Sequence, residues 1–177
     1  MMITRLYLKA SRLLEHLEKA LAILLISAIV IIVFAGTFAR YVLNEPLFGA
    51  DRLATYAMVW LGFLGFQIAT SKMRHIEVEF LKARMPAKIK ALMNMVGCVL
   101  AALFLLQFAR YGYEYMLQSR ELDDRDLVLG IPLWYIVAII PVSFLVSAVR
   151  FFFTTFLWLE VRMGKREETD FVSKQIV

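Results

Sequence analysis

Four long stretches of the chain contain no Asp, Glu, Lys or Arg: Ala20 to Ala39, Leu53 to Ser71, Ala91 to Ala109, and Leu127 to Val149. Each is long enough to cross a hydrocarbon core of about 30 Å at 1.5 Å per residue. In lipid the backbone must satisfy its own hydrogen bonds, so uninterrupted apolar runs of this length are helices rather than strands. The pattern predicts an all-α integral membrane protein of one domain, 1–177, with four transmembrane helices at about 20–39, 53–71, 91–109 and 132–156 and a cytoplasmic tail over 160–177. Pro86 and Pro132 fall before or near helix starts, where a missing N–H costs little. Pro141 falls inside the fourth run and is expected to kink or loosen it.

Residues 3–19 carry a different pattern. On a helical wheel Ile3, Leu6, Ala10, Leu13, Leu14 and Leu17 share one face, with Arg5, Lys9, Arg12, Glu15, His16 and Lys19 opposite. Two readings fit: an N-terminal amphipathic helix lying in the membrane interface, or a cytoplasmic extension of the first span. The first apolar run exceeds the 7–15 residues of a signal-peptide core and is expected to be a retained span.

Composition supports the membrane reading. The 177 residues are 61% hydrophobic, against roughly 45–50% in soluble domains. Mean hydropathy is +0.69. This excludes a soluble enzyme of ordinary kind. The formal charge of +5 does not imply nucleic acid, because basic residues orient membrane spans. The segment before span one holds four Lys and Arg, the loop after span two holds six, and the segment from Arg150 holds five. The two other loops hold five in all: Arg40, Arg52, Arg110, Arg120 and Arg125. Fifteen against five predicts both termini in the cytoplasm. Tyr41, Phe48, Tyr111, Tyr113, Tyr115, Trp134 and Tyr135 then form an aromatic belt at the outer interface. Arg40, Tyr41, Arg110, Tyr111, Trp134 and Arg150 are the expected interface anchors, Arg150 snorkelling to the inner boundary.

Chemistry-bearing patterns are sparse. The apolar runs hold no ionisable residue, the usual mark of an ion path or proton relay. Their polar residues, Ser27, Thr37, Gln67, Thr70, Asn94, Gln107, Ser143 and Ser147, suit helix-to-helix hydrogen bonding. No phosphate loop, Cys/His metal pattern or nucleophile set stands out, so neither catalysis nor a cofactor is expected. The single Cys98 reads as a packing residue, and the acids Glu121, Asp123, Asp124 and Asp126 as a solvated outer loop rather than a cation site.

Packing signals are stronger. In span two Ala54, Met58, Gly62, Gly65 and Ala69 fall in one narrow sector, a flat seam that admits a close helix, from this chain or from another subunit. Gly97 and Ala101 make a shorter pair, expected to pack internally. Phe38-Ala39-Arg40-Tyr41 and Phe108-Ala109-Arg110-Tyr111 close spans one and three in the same way, by convergent anchoring or by duplication.

The order of features resembles the small, Q-type membrane subunit of TRAP transporters, the tripartite ATP-independent periplasmic carriers. The matching residues are Arg40-Tyr41-Val42-Leu43-Asn44, Tyr56 to Gly65, His75-Ile76-Glu77-Val78, and Leu129-Gly130-Ile131-Pro132-Leu133-Trp134 with Pro141. They are spread over roughly residues 15–155. The resemblance implies four helices with both termini inside and location in the bacterial inner membrane. It also implies two partners: a large multi-span permease that carries the substrate and sodium sites, and a periplasmic substrate-binding protein delivering an organic acid of the C4-dicarboxylate or sialic acid type. Gly49-Ala50-Asp51-Arg52 departs from the Trp and paired Glu often found in the family before span two. His75 reads either as a partner contact or as an interfacial residue of a basic loop.

The resulting expectation is a non-catalytic scaffold for the large permease, with membrane lipid and the two protein partners as its contacts. The competing readings are a self-sufficient oligomeric small transporter or channel, and a haem-binding anchor of an oxidoreductase. Substrate-specific flux from the polypeptide alone would mark the first, and a Soret band the second.

Overall fold

A computed structural model describes residues 2–71 and 87–162. His75, the His75–Val78 motif, Pro86 and most of the tail lie outside the described residues. The chain is helical, with four helical stretches long and apolar enough to cross a membrane: Ser11–Leu43, Ala50–Ser71, Leu92–Glu121 and Leu133–Phe156. No strand occurs among the described residues; an isolated bridge joins Arg125 and Pro132.

The first helix, α1 (Met2–Phe38), is continuous and passes into a five-residue π-helix, Ala39–Leu43. No break separates residues 3–19 from the first span, so whether they lie in the interface is a question of tilt rather than of a separate element. The π-turn ends at Asn44 with φ 55, a left-handed position that Asn tolerates better than most residues, and its N–H donates to the Ala39 carbonyl. Helix α2 (Ala50–Ser71) follows, then α3 (Ala87–Glu121), the short α4 (Leu133–Val137) and α5 (Ile139–Arg162).

One boundary differs from the sequence reading. Helix α3 does not end at Phe108-Ala109-Arg110-Tyr111 but runs on to Glu121. Arg110 and Glu114, one turn apart, pair at 2.9 Å on its exposed side, so charge does not end the helix there. The two Phe-Ala-Arg-Tyr motifs therefore occupy different structures, a π-turn in one case and a helix interior in the other. In the fourth span Pro141 loosens the helix as expected, since it has no N–H for the Val137 carbonyl and its ring crowds it; one residue, Ala138, still helical at φ −55 and ψ −25, separates two helical segments. Helix α4 stops at Val137, and α5 starts at Ile139.

The helices pack in the order α1, α2, α5, α3, with α5 against both α2 and α3. Phe144 of α5 centres the core and meets the rings of Phe63 and Phe66 edge-on at 5.8 and 5.7 Å, and Phe108 at 5.6 Å. Gly112 lets α3 approach the α4–α5 junction: a Cβ there would lie 3.1 Å from Ile140 Cγ2 and 3.3 Å from Pro141 N. Much of the remaining apolar surface faces outward, including Ile23, Ile31 and Phe34 on α1 and Leu103 and Phe104 on α3. That is the expected arrangement where lipid is the solvent.

Candidate partner interface

Helix α2 has two unlike faces. Leu64, Gln67 and Thr70 are buried, the last two against α5, while Gly62, Gly65 and Ala69 lie exposed, and Met58 is 52% exposed. Of the five seam residues, only Ala54 is buried. A Cβ built on Gly62 or Gly65 meets nothing within 4 Å, so none of the described residues fills the seam at these two positions. Gly97 is likewise open, contrary to the expectation of an internal pair with Ala101.

Toward α5 the same helix forms a polar seam. Gln67 Nε2 donates to Ser143 Oγ at 2.8 Å, and the Thr70 and Ser147 hydroxyls are 3.1 Å apart. Ser143 and Ser147 are fully buried. Such bonds average about 0.6 kcal/mol each in membrane proteins, enough to fix register where apolar packing alone competes with lipid. Trp60 Nε1 adds a 3.1 Å bond to the Ile136 carbonyl, next to the α4–α5 junction.

Arg150 is not a snorkelling anchor. It is 5% exposed, and its Nη2 contacts both Glu18 carboxylate oxygens at 2.8 Å, while Nη1 donates to the Gln67 carbonyl. Glu18 is 3% exposed. A guanidinium left alone at this depth would be costly; the carboxylate and the electronegative C-terminal turn of α2 offset its desolvation. Sequence reasoning missed Glu18, although one signal was present: on a 100° wheel it lies about 40° from Leu14, at the edge of the apolar face. Its buried neighbours on α1 are Ala22 and Ile29, at helical spacing.

Arg40 and Trp134, two of the other expected anchors, sit at the end of the bundle that carries the segments 44–49 and 122–132. Arg40 pairs with Asp51 at 3.0 Å, so the acid in the first turn of α2 has a basic partner on the π-turn. Both are exposed, and such pairs contribute about 0–1 kcal/mol. Tyr41 and Tyr111 are exposed, and the Arg120 guanidinium lies 5.5 Å from the centre of the Trp134 ring. The loops between α1 and α2 and between α3 and α4 meet, because Gly49 has φ 79 and its Cα faces Leu129, leaving no room for a side chain. Asp126, 7% exposed, organises the second loop: its Oδ2 accepts the N–H groups of Val128 and Leu129, each at 3.3 Å.

Burial opposes ionisation of Asp126. Hydrogen bonds from the Tyr56 hydroxyl and from the Leu129 and Val128 amides, with the nearby Arg52 charge, outweigh it and hold the carboxyl below its ordinary value. A depressed folded pKa contributes stability that is full above the unfolded value, about 3.9, and lost as pH falls through the folded one. Hydrogen exchange over residues 124–132, corrected for its intrinsic pH dependence, is expected to stay slow at pH 5 and to accelerate only as pH falls below the unfolded value and through the lowered folded one. In Asp126→Asn this acid-dependent step should vanish and exchange should already be faster at pH 5.

The fold defines a multi-pass helical membrane protein with an exposed face of small residues on α2 and, among the described residues, no group of three or more His, Cys, Asp or Glu placed to hold a metal ion. The family model for the DctQ component of tripartite ATP-independent periplasmic transporters matches residues 29–161. The chain belongs to this family. It is 30% identical over 141 residues to the sialic acid TRAP transporter permease protein SiaT of Haemophilus influenzae, covering 77% of this chain and 22% of SiaT. It is 24% identical over 141 residues to the ectoine TRAP transporter small permease protein TeaB of Halomonas elongata, covering 80% of this chain and 72% of TeaB. The chain thus corresponds to about a fifth of SiaT and to most of TeaB.

Proposed function

We propose that this chain is the non-catalytic small permease subunit of a sodium-coupled TRAP transporter for an organic acid, and that it braces the large permease subunit in the bacterial inner membrane. The observation that carries this is the open α2 seam in a chain of this family. A helix with two exposed glycines and an adjacent alanine presents a flat surface that lipid fills poorly and another helix fills well. SiaT supports direct association, because the matching region there is part of a longer permease polypeptide. The two relatives carry different solutes in their names, which favours a role for this region that does not depend on the solute. In this reading the subunit widens the membrane footprint of the permease and gives its moving part a fixed frame. A periplasmic binding protein delivers solute to the permease.

A tagged copy extracted in mild detergent should co-purify with a second, larger membrane protein in fixed ratio. Recovery of this chain alone or as a homo-oligomer that conducts solute would favour the self-sufficient transporter instead. Orientation has its own test. Leu127, at 102% relative exposure, sits in the loop between α3 and α4, which faces the periplasm in this reading. With Cys98 replaced by Ala, Leu127→Cys should react with a membrane-impermeant maleimide in spheroplasts without permeabilisation. Labelling only after permeabilisation would invert the topology and place both termini outside.

A further inference from the structure

We infer that Glu18 and Arg150 form a latch that pins the N-terminal half of α1 to α2 and α5. The latch goes beyond the family reading and rests on the geometry of this chain alone. Arg150 is seven residues, or about two turns, beyond Ser143 on α5, and shares its buried face with Ser143, Ser147 and Thr154. From there the guanidinium reaches two helices at once. One terminal nitrogen holds both carboxylate oxygens of Glu18 on α1, and the other holds the Gln67 carbonyl on α2. Thr70 Oγ1 also donates to that carbonyl, at 2.8 Å, so the polar seam and the ion pair are one connected network across three helices.

The setting gives the pair its leverage. Apolar packing contributes little net affinity between helices when the alternative is lipid, so polar contacts decide which faces stay together. Near its C-terminal end, α1 lies close to α2 through Gly36, where a Cβ would be 3.4 Å from Ala50 Cβ. About 18 residues and 27 Å separate Gly36 from Glu18 along α1. Over that length Leu21, Ile23, Leu24, Ile26, Val30 and Ile31 are exposed. The ion pair therefore acts as the distant second fastening of a long helix, beside the open α2 seam.

Buried pairs have a diagnostic asymmetry. Removing one partner strands the other charge and is strongly destabilising, whereas replacing both by apolar residues of similar size is often neutral or better. In the full chain, Glu18→Met and Arg150→Met are each expected to lower the apparent melting temperature by roughly 10 °C. The double variant Glu18→Met/Arg150→Met should recover most of that loss. Hydrogen exchange over residues 11–30 should quicken at least tenfold in each single variant, while residues 100–115 of α3 stay within twofold. Arg150→Lys keeps the charge but cannot span Glu18 and the Gln67 carbonyl together, so its exchange rate should fall between wild type and Arg150→Met.

If a single variant fails to fold, a double variant that folds supports the latch by the same logic. Single variants that melt and exchange like wild type would overturn it, as would a double variant no more stable than the worse single. Equal acceleration in α1 and α3 would show general destabilisation and would also overturn it.

Discussion

Gly62→Leu or Gly65→Leu abolishes co-purification of the large permease and solute uptake while leaving this chain folded. The expectation follows from two properties of the same positions. A Cβ at either glycine would have no group of the described residues within 4 Å, so leucine meets no obstacle among them. Replacing glycine inside a helix also improves intrinsic propensity by about 0.8–1 kcal/mol. The isolated subunit should therefore melt at the same temperature or slightly higher. For a helix docked on the seam, each leucine adds a branched side chain where backbones must approach closely, and overpacking of that kind costs about 1–3 kcal/mol or more. Either substitution alone should then weaken association by roughly tenfold to a hundredfold, and the two together by more. Gly62→Ala is expected to do little. Comparing melting temperature with recovered partner separates a docking defect from a folding defect. Retention of partner and uptake in both leucine variants would remove the seam from the interface.

Gly112→Leu has the opposite signature: the chain itself fails to accumulate, with or without its partner. Here the glycine faces the α4–α5 junction in the fourth span, and the nearest obstacles include the Pro141 backbone nitrogen at 3.3 Å, which cannot rotate away. Alanine should already be felt, because its Cβ would sit 3.1 Å from Ile140 Cγ2. A few tenths of an ångström of adjustment at that side chain would accommodate it, at a loss of a few degrees in melting temperature. Leucine would force α3 off α5 and disturb Phe108 against Phe144, a loss of about 3 kcal/mol or more. Fluorescence-detected gel filtration of membranes from the Ala and Leu variants measures both steps. Equal recovery of Gly112→Leu and wild type would contradict the close approach of α3 to the α4–α5 junction.

The architecture was legible in the sequence to the extent that solvent dictates it. Four charge-free runs marked the spans because lipid excludes charge, and Pro141 marked the disturbance in the fourth because a missing N–H acts locally. The mild polar residues Gln67, Thr70, Ser143 and Ser147 were readable as helix-to-helix partners, and they do meet on α2 and α5. What was not legible depends on pairing across the chain. Arg150 looked like a boundary residue because its carboxylate partner is 132 residues away and sits at the edge of an amphipathic pattern. The end of α3 was misplaced because Arg110 reads as a stop signal when Glu114 is not known to answer it. The α2 seam was visible as small residues at helical spacing, but whether it was covered depended on where α1 and α5 pack. They cover Ala54 and the Leu64, Gln67 and Thr70 side and leave Gly62 and Gly65 open.

Sodium-driven solute uptake in proteoliposomes tests most directly whether this chain supports transport without carrying it. The subunit, the large permease and the binding protein are added separately and together. A scaffold role predicts uptake with all three, none with this subunit alone, and a large loss when this subunit is omitted or carries both Gly62→Leu and Gly65→Leu. Solute flux from this subunit alone, or undiminished uptake in its absence, would contradict it.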